Sequence, residues 1–318
     1  MGFVSMPAIS ASAPGKVILF GEHAVVYGQP AIAVPVTEVA AKAIITPDPT
    51  ATGGSIHITA PQINLDANFA NLPSEDPIAA SIRATLDALK LSQPPAFKLR
   101  VTSTIPVAGG LGSGAAVSVA IIRAVSAFLG HPLPDDQVSA LAFEVEKLHH
   151  GTPSGIDNTV ITYNKAVYYI KGKSIETIRI ATPFSLVIAD TGILAPTKET
   201  VADVRRVWES DPEPYNEIFE SIGKLAVAAR AAVEQGNNEA LGPLMNENHE
   251  LLQNLDVSSP ELDKLVLAAR EAGALGAKLS GGGRGGNIIA LAPEGRAAEI
   301  KTAVEGAGAK SAFFTTVK

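Results

Sequence analysis

The spacing of apolar positions along the chain switches repeatedly between the period of a strand and that of a helix. Residues 12–39 read as strand-like, with the runs Val17-Ile18-Leu19-Phe20 and Ala31-Ile32-Ala33-Val34 on either side of a turn at Gly21. Two further strand patterns, 41–46 and 55–59, flank a Pro-Asp-Pro-Thr-Ala-Thr-Gly-Gly loop. Ile78, Ile82, Leu86 and Leu89 share one helical face and predict a helix over 77–91, while 97–102 alternates as a strand. A glycine-rich turn at 108–114 runs into an apolar helix over 115–129, and Asp135 and Asp136 open another helix that ends near His149. Residues 160–170 and 174–180 read as strands.

A second unit starts near Thr182, with a buried-type strand at 185–189 and helical patterns at 198–210, 215–235, 238–252 and 260–272. A short strand at 277–279 enters a second glycine-rich segment, 281–286, followed by a strand at 288–291, a helix at 295–306 and a closing strand at 311–317. Mixed strands and helices in both halves predict an α+β fold, and a length of 318 residues suits two domains, 1–181 and 182–318.

Composition narrows the function. Apolar residues make up 46% and charged residues 18%, which excludes disordered, collagen-like and low-complexity classes. The net charge of −7 supplies no basic excess for a phosphate backbone, so a nucleic-acid partner is not expected. A small anion still fits, because it needs only local amides and one or two cations. The absence of cysteine excludes disulfides, thiol nucleophiles and iron–sulfur clusters, and no histidine stands in a His-Glu-x-x-His frame. No apolar run reaches the ~18 residues that span a bilayer, and 1–11 lacks the basic start and long apolar stretch of a secretory signal. The expected address is cytoplasmic, with no membrane partner.

Four segments are candidates for chemistry. In the first, Ile105-Pro106-Val107-Ala108-Gly109-Gly110-Leu111-Gly112-Ser113-Gly114-Ala115-Ala116, four glycines precede a long apolar helix. Close backbone approach and a helix N-terminus together make an anion cradle. A plain connecting turn, or a dinucleotide fingerprint at Gly110-x-Gly112-x-x-Ala115, reads from the same residues. No acid-ended strand follows the helix, as that fingerprint requires, and no Walker A pattern occurs in the chain. The second segment runs from Ala13-Pro14-Gly15-Lys16 to Gly21-Glu22-His23-Ala24-Val25-Val26-Tyr27-Gly28, with a lysine opening an apolar strand and a Glu-His pair after its closing turn. The third carries Glu146 near a helix end, followed by Gly151-Thr152-Pro153-Ser154-Gly155-Ile156-Asp157-Asn158. The fourth is Lys278-Leu279-Ser280-Gly281-Gly282-Gly283-Arg284-Gly285-Gly286-Asn287. Taken singly, each also reads as solvated surface, a capped turn or a linker.

In this order and spacing the four segments resemble the GHMP kinases, the superfamily of galactokinase, homoserine kinase, mevalonate kinase and phosphomevalonate kinase. The likeness covers essentially the whole chain. Gly21–Gly28, the Gly151–Asn158 segment, and Asp190-Thr191-Gly192 followed by Thr197-Lys198 are similar to the mevalonate kinase branch. The resemblance implies an N-terminal domain with a left-handed βαβ unit and a ferredoxin-like C-terminal domain. It implies an ATP- and Mg²⁺-dependent kinase acting on the 5-hydroxyl of mevalonate. By the same resemblance Pro106, Ala108, Gly109, Gly110, Leu111, Gly112, Ser113, Gly114 and Ala115 hold the ATP phosphates, joined by Gly282 and Gly283. Ser113 and Glu146 are the implied Mg²⁺ ligands, Asp157 the general base and Lys16 its cationic partner. Glu22, His23 and Thr197 lie on the substrate side, beside Lys16 and Asp157. Other kinases of the superfamily and a non-catalytic metabolite-sensing relative stay open, as does the oligomeric state, a homodimer included. Two departures stand out. Gly114 replaces a common second serine, and Arg284 and Asn287 stand where many members carry Gly and Cys. Arg284 reads either as a phosphate contact or as an outward surface residue.

Overall fold

The computed structural model describes residues 8–106, 110–150, 153–194 and 197–318, without the side chains of 149 and 150. The strands, in chain order, are β1 (Ile9–Phe20), β2 (Ala31–Pro47), β3 (Ile56–Ala60), β4 (Leu65–Asn68), β5 (Phe97–Ser103), β6 (Val167–Tyr169), β7 (Glu176–Thr177), β8 (Phe184–Asp190), β9 (Gly276–Ser280), β10 (Asn287–Ala292) and β11 (Ser311–Val317). The helices are α1 (Pro77–Ala88), α2 (Ser113–Phe128), α3 (Asp135–His150), α4 (Ile156–Tyr163), α5 (Thr197–Ser210), α6 (Pro212–Gln235), α7 (Leu241–Asn254), α8 (Pro260–Glu271) and α9 (Ala297–Gly306). None of the helices among the described residues is long and apolar enough to cross a membrane.

The chain forms two compact units that interleave in sequence. One comprises the chain up to Gly15, Val39–Pro106 and Gly112–Asn164; the other comprises Lys16–Glu38, the short stretch ending at Leu111, and Lys165–Lys318. This division differs from a single boundary after residue 181. The reason lies in β1 and β2, long strands that each contribute residues to both units.

In the first unit the later half of β2 pairs antiparallel with β5, and β5 pairs parallel with β3, so that β3, α1 and β5 make a βαβ unit. Alternation places Ala41, Ala43 and Ile45 of β2 with Phe97, Leu99 and Val101 of β5 in the core. α1 opens at Asp76, whose side chain accepts from the Ala79 N–H, with Pro77 at the first helical position. It buries Ile78, Ile82 and Leu86, and α2 buries Val119, Ile122 and Val125. Each such side chain contributes about 1.5–3 kcal/mol through burial.

In the second unit β11, β8, β10 and β9 lie side by side in that order, all antiparallel. Numbered along the chain, this is 4-1-3-2. With helices after β8 and between β10 and β11, it is the split βαβ arrangement of ferredoxin-like domains. Val187, Ala189, Ile288, Ala290 and Leu279 of the sheet meet Phe219, Leu252, Leu262, Val266 and Ile300 of the helices in one core. The first half of β2 pairs with β6, and β6 with β7.

Two sequence expectations change. Residues 160–170, expected as a strand, divide into the end of α4 and the three-residue β6. The short Val160-Ile161 pair suits either state by periodicity; Gly155, with φ 85°, supplies a left-handed cap that starts a helix there. The strand expected over 174–180 shrinks to the two residues of β7. Elsewhere the helices and strands stand within a few residues of the expected positions, except that 31–47 is one continuous strand and β4 was not foreseen.

Candidate active site

The second unit gathers several of the expected residues. Lys16 lies in β1, almost fully buried, and its backbone N–H donates to the Leu111 carbonyl at 3.0 Å. The lysine strand and the first glycine loop are therefore in direct contact. At the far end of β1, Gly21 turns the chain with φ 98°; a Cβ there would sit 2.5 Å from the Ala31 Cα, so no other residue fits. This turn sets Glu22 and His23, both buried.

The second glycine loop, 281–286, leaves β9 at Ser280, whose hydroxyl donates to the Ile18 carbonyl at 2.8 Å. A Cβ on Gly281 would stand 4.0 Å from the Gly110 Cα, which brings the two glycine loops into the same neighbourhood. A Cβ on Gly282 would lie 2.7 Å from Thr197 Oγ1, so only a glycine lets the loop pass the start of α5. Lys16, Glu22, His23, Thr197, Gly110, Leu111, Gly282 and Gly283 thus all belong to this unit. Ala108 and Gly109 lie outside the described residues.

The electrostatics of this unit are unusual. Lys278 is fully buried and its ammonium bonds to Glu22 Oε1 and to the Leu279 carbonyl. Burial pushes the Glu22 carboxyl above its ordinary value and the Lys278 ammonium below its own, while each partner opposes the other's shift. Lys16 also favours the Glu22 carboxylate by its charge. His23 has φ 60°, a left-handed conformation that few non-glycine residues adopt. Its Nε2 stands 3.0 Å from the Gly282 carbonyl, and burial holds its pKa down to about 4. The neutral ring therefore donates from Nε2 to that carbonyl.

A second buried histidine supports the lysine strand. Nδ1 of His249 on α7 accepts from the Leu279 N–H at 3.3 Å, and Nε2 donates to Asp263 Oδ1 at 3.1 Å. Burial again lowers its pKa to about 4. Neither His249 nor a role for Lys278 was expected from the sequence. The signals were present: His249 shares the helical face of Leu241, Met245 and Leu252, and Lys278 sits between the apolar Ala277 and Leu279 in a fully buried strand.

The first unit carries the remaining expected residues. Pro106 precedes the undescribed stretch, and Gly112, with φ 72°, caps α2 so that Ser113 is its first residue, followed by Gly114 and Ala115. The first-turn N–H groups of α2 have no carbonyl one turn before them within the helix and point toward whatever lies ahead of Ser113. Glu146 is a nearly buried carboxylate toward the end of α3, and Asp157 is the second residue of α4. Asn158 Nδ2 donates to the Ser139 hydroxyl at 2.8 Å and to the Ser139 carbonyl, which fixes the start of α4 against α3. Ser113 and Glu146 are hard oxygen donors of the kind Mg²⁺ takes, one hydroxyl and one carboxylate. Among the described residues no three His, Asp or Glu side chains cluster as a metal cage. A cation with so few protein ligands draws the others from phosphate and water.

Residues 78–165 match the GHMP kinases N terminal domain, and 229–310 match the GHMP kinases C terminal domain. With the two-domain α+β fold and its paired glycine loops, these matches place the chain in the GHMP kinase family. The relatives resolve the branch. A mevalonate kinase of Pyrococcus horikoshii is 42% identical over 94% of this chain and 93% of its own length. One of Thermococcus sibiricus is 38% identical over the same shares. The crystal structure of L. major mevalonate kinase in complex with R-mevalonate superimposes with a TM-score of 0.86 at 32% identity, covering 100% of this chain and 98% of that one. Within the GHMP kinases the chain belongs to the mevalonate kinases.

Proposed function

We infer that the protein transfers the γ-phosphoryl group of ATP to the 5-hydroxyl of mevalonate, giving 5-phosphomevalonate and ADP. The observation that carries this reading is the likeness to mevalonate kinases over nearly the whole chain, together with the gathering of Lys16, Glu22, His23, Thr197, Gly110, Leu111 and the second glycine loop in one unit. A cytoplasmic location belongs to the same reading.

Phosphoryl transfer asks for positioning and charge neutralisation rather than covalent help from the protein. The oxygen of the 5-hydroxyl forms a bond to the γ-phosphorus, the bond from that phosphorus to the ADP oxygen breaks, and the hydroxyl proton moves to a base. We assign the base to Asp157, whose carboxylate accepts that proton. Lys16 donates to the phosphoryl oxygens, where negative charge accumulates. The amides of Gly110 to Ala115 and of Gly282 and Gly283 cradle the phosphates, aided by the positive end of α2. Ser113 and Glu146 would hold Mg²⁺, which supplies charge neutralisation on the phosphates when bound. Glu22, kept in place by Lys278, accepts from a hydroxyl of the substrate. Neutral His23 sets the second glycine loop through Gly282, which joins the substrate-side turn to the nucleotide-side loop.

The test is ADP release from ATP and Mg²⁺ with R-mevalonate, followed by ³¹P spectroscopy of the product. The expected result is stoichiometric ADP and a single phosphomonoester on the C5 oxygen. Absence of mevalonate-dependent ADP overturns the reading.

A further inference from the structure

We propose that Arg284 is a positioning residue that latches helix α5 to the second glycine loop, so that the substrate-side start of α5 and the nucleotide-side glycines hold their places together. The proposal rests on the kinase reading above and assigns a task to a residue that the family likeness left unexplained.

The loop is anchored on several sides within its own unit. Gly282 accepts from His23, the Gly286 N–H donates to the Ile193 carbonyl at 3.0 Å, and the Arg284 N–H donates to the Val257 carbonyl at 2.7 Å. The Arg284 side chain then spreads between two neighbours. Nη1 donates to Asp203 Oδ2 at 2.6 Å, Nη2 to Asp256 Oδ2 at 3.2 Å, and Nε to the Asp256 carbonyl at 3.1 Å. Three directed donors from one planar group are a use that arginine serves and lysine does not. With every nitrogen of its guanidinium so engaged, Arg284 is not set up as the phosphate contact that its position in a glycine loop suggests.

Backbone strain singles out the same spot. Among the described residues six non-glycine residues have positive φ, and three of them, His23, Asp256 and Arg284, meet at this loop. Arg284 itself has φ 57° where a glycine would be free of strain. A side chain kept in that conformation marks a position where its contacts outweigh the backbone cost.

The consequence follows from the length of α5. Thr197, its first residue, packs against Gly282, and Asp203 lies about 9 Å further along the axis at 1.5 Å per residue. Contact at Thr197 alone would leave the helix free to pivot on the loop; the Arg284–Asp203 bond adds a second point and removes that freedom. Both side chains are about one-third exposed, so the bond contributes little to global stability. Its effect lies in geometry.

The experiment uses the full chain and the variants Arg284→Gly, Asp203→Asn, Arg284→Lys and the Arg284→Gly/Asp203→Asn pair. Two readouts are taken: the dissociation constant of a fluorescent ATP analogue, and amide hydrogen exchange of 281–286 and of the first two turns of α5. Asp203→Asn, a change on the helix, should speed exchange in the loop and weaken the analogue about three- to fivefold, the upper end of what a partly exposed ion pair contributes. Arg284→Gly should speed exchange in α5 and raise the KM for mevalonate by a similar factor, with the melting temperature near that of the wild type. The double variant should be no worse than Arg284→Gly, and Arg284→Lys should fall between it and the wild type. Loop exchange and analogue affinity within twofold of the wild type in Asp203→Asn would overturn the latch. A wild-type protein that fails to bind the analogue would instead overturn the kinase reading, and the exchange data would still decide whether loop and helix are coupled.

Discussion

Replacing Lys278 with methionine isolates the most deeply buried charge pair of the site. Methionine keeps most of the volume and removes the ammonium, leaving Glu22, 1% exposed at its side chain, without its cation. Breaking a buried pair from one side costs about 3–5 kcal/mol, because the remaining charge stays desolvated. That should lower the melting temperature by roughly 5–15 °C for a chain of this size. The companion Lys278→Met/Glu22→Gln removes both charges and should recover most of the loss, to within about 2 kcal/mol of the wild type. pH separates this account from a packing defect. Without Lys278 the Glu22 carboxyl loses the charge and hydrogen bond that oppose burial, and it titrates still higher in the folded variant than in the wild type. A raised folded-state value means that the folded variant binds a proton before the unfolded chain does. Its deficit should therefore shrink as pH falls from 7 to 5, whereas a cavity defect is indifferent to pH. The assay is urea unfolding of the three proteins at pH 7, 6 and 5. A single variant within about 1 kcal/mol of the wild type, or a deficit that does not change with pH, would show that the Lys278 charge is not what holds Glu22 in place.

Other expectations follow from the site. Asp157→Asn should lower kcat by roughly 10²–10⁴ while ATP affinity stays close to normal, measured by steady-state kinetics and analogue binding. Ser113→Ala and Glu146→Gln should each raise the Mg²⁺ concentration needed for half-maximal rate, with a smaller change in the KM for mevalonate. His23→Ala should raise the KM for both substrates, because its ring holds the Gly282 carbonyl of the nucleotide-side loop; a rise confined to mevalonate would mean that this bond is dispensable. His23 and His249, held down to about 4 from 6.5, leave the unfolded chain to bind protons first. Stability should be complete above pH ~6.5 and fall toward pH 4, by up to about 1.4 kcal/mol per pH unit for each histidine. His249→Asn should make that fall shallower.

Much of this was legible in the sequence because local chemistry and tertiary role agree. The Gly21 turn, the Gly112–Ser113 helix start and the 281–286 loop are positions where glycine is required by contact or by φ, and they read as such from composition alone. The helices α1, α2 and α8 carry both their apolar faces and their start signals. The errors have a physical origin too. A stretch as short as the eight residues of α4, with Val160 and Ile161 adjacent, has no period that separates strand from helix, and its cap, a glycine, also suits a turn. β2 carries two strand patterns because it serves two units, and nothing local marks the passage. The roles of Lys278, His249 and Arg284 were hidden for a different reason. Each acts through a partner at least 14 residues away in sequence, Glu22, Asp263 and Asp203, and such pairing appears only once the chain is folded.

Side-by-side kcat/KM values for R-mevalonate, phosphomevalonate, homoserine and galactose decide which substrate the enzyme is built for. A site that pairs buried polar groups such as Glu22 with one substrate loses heavily with another that cannot pair them. Mevalonate should be the preferred substrate, with homoserine and galactose at least about 10²-fold less efficient. Equal or better turnover of any of the other three would contradict the assignment of mevalonate while leaving the kinase fold intact.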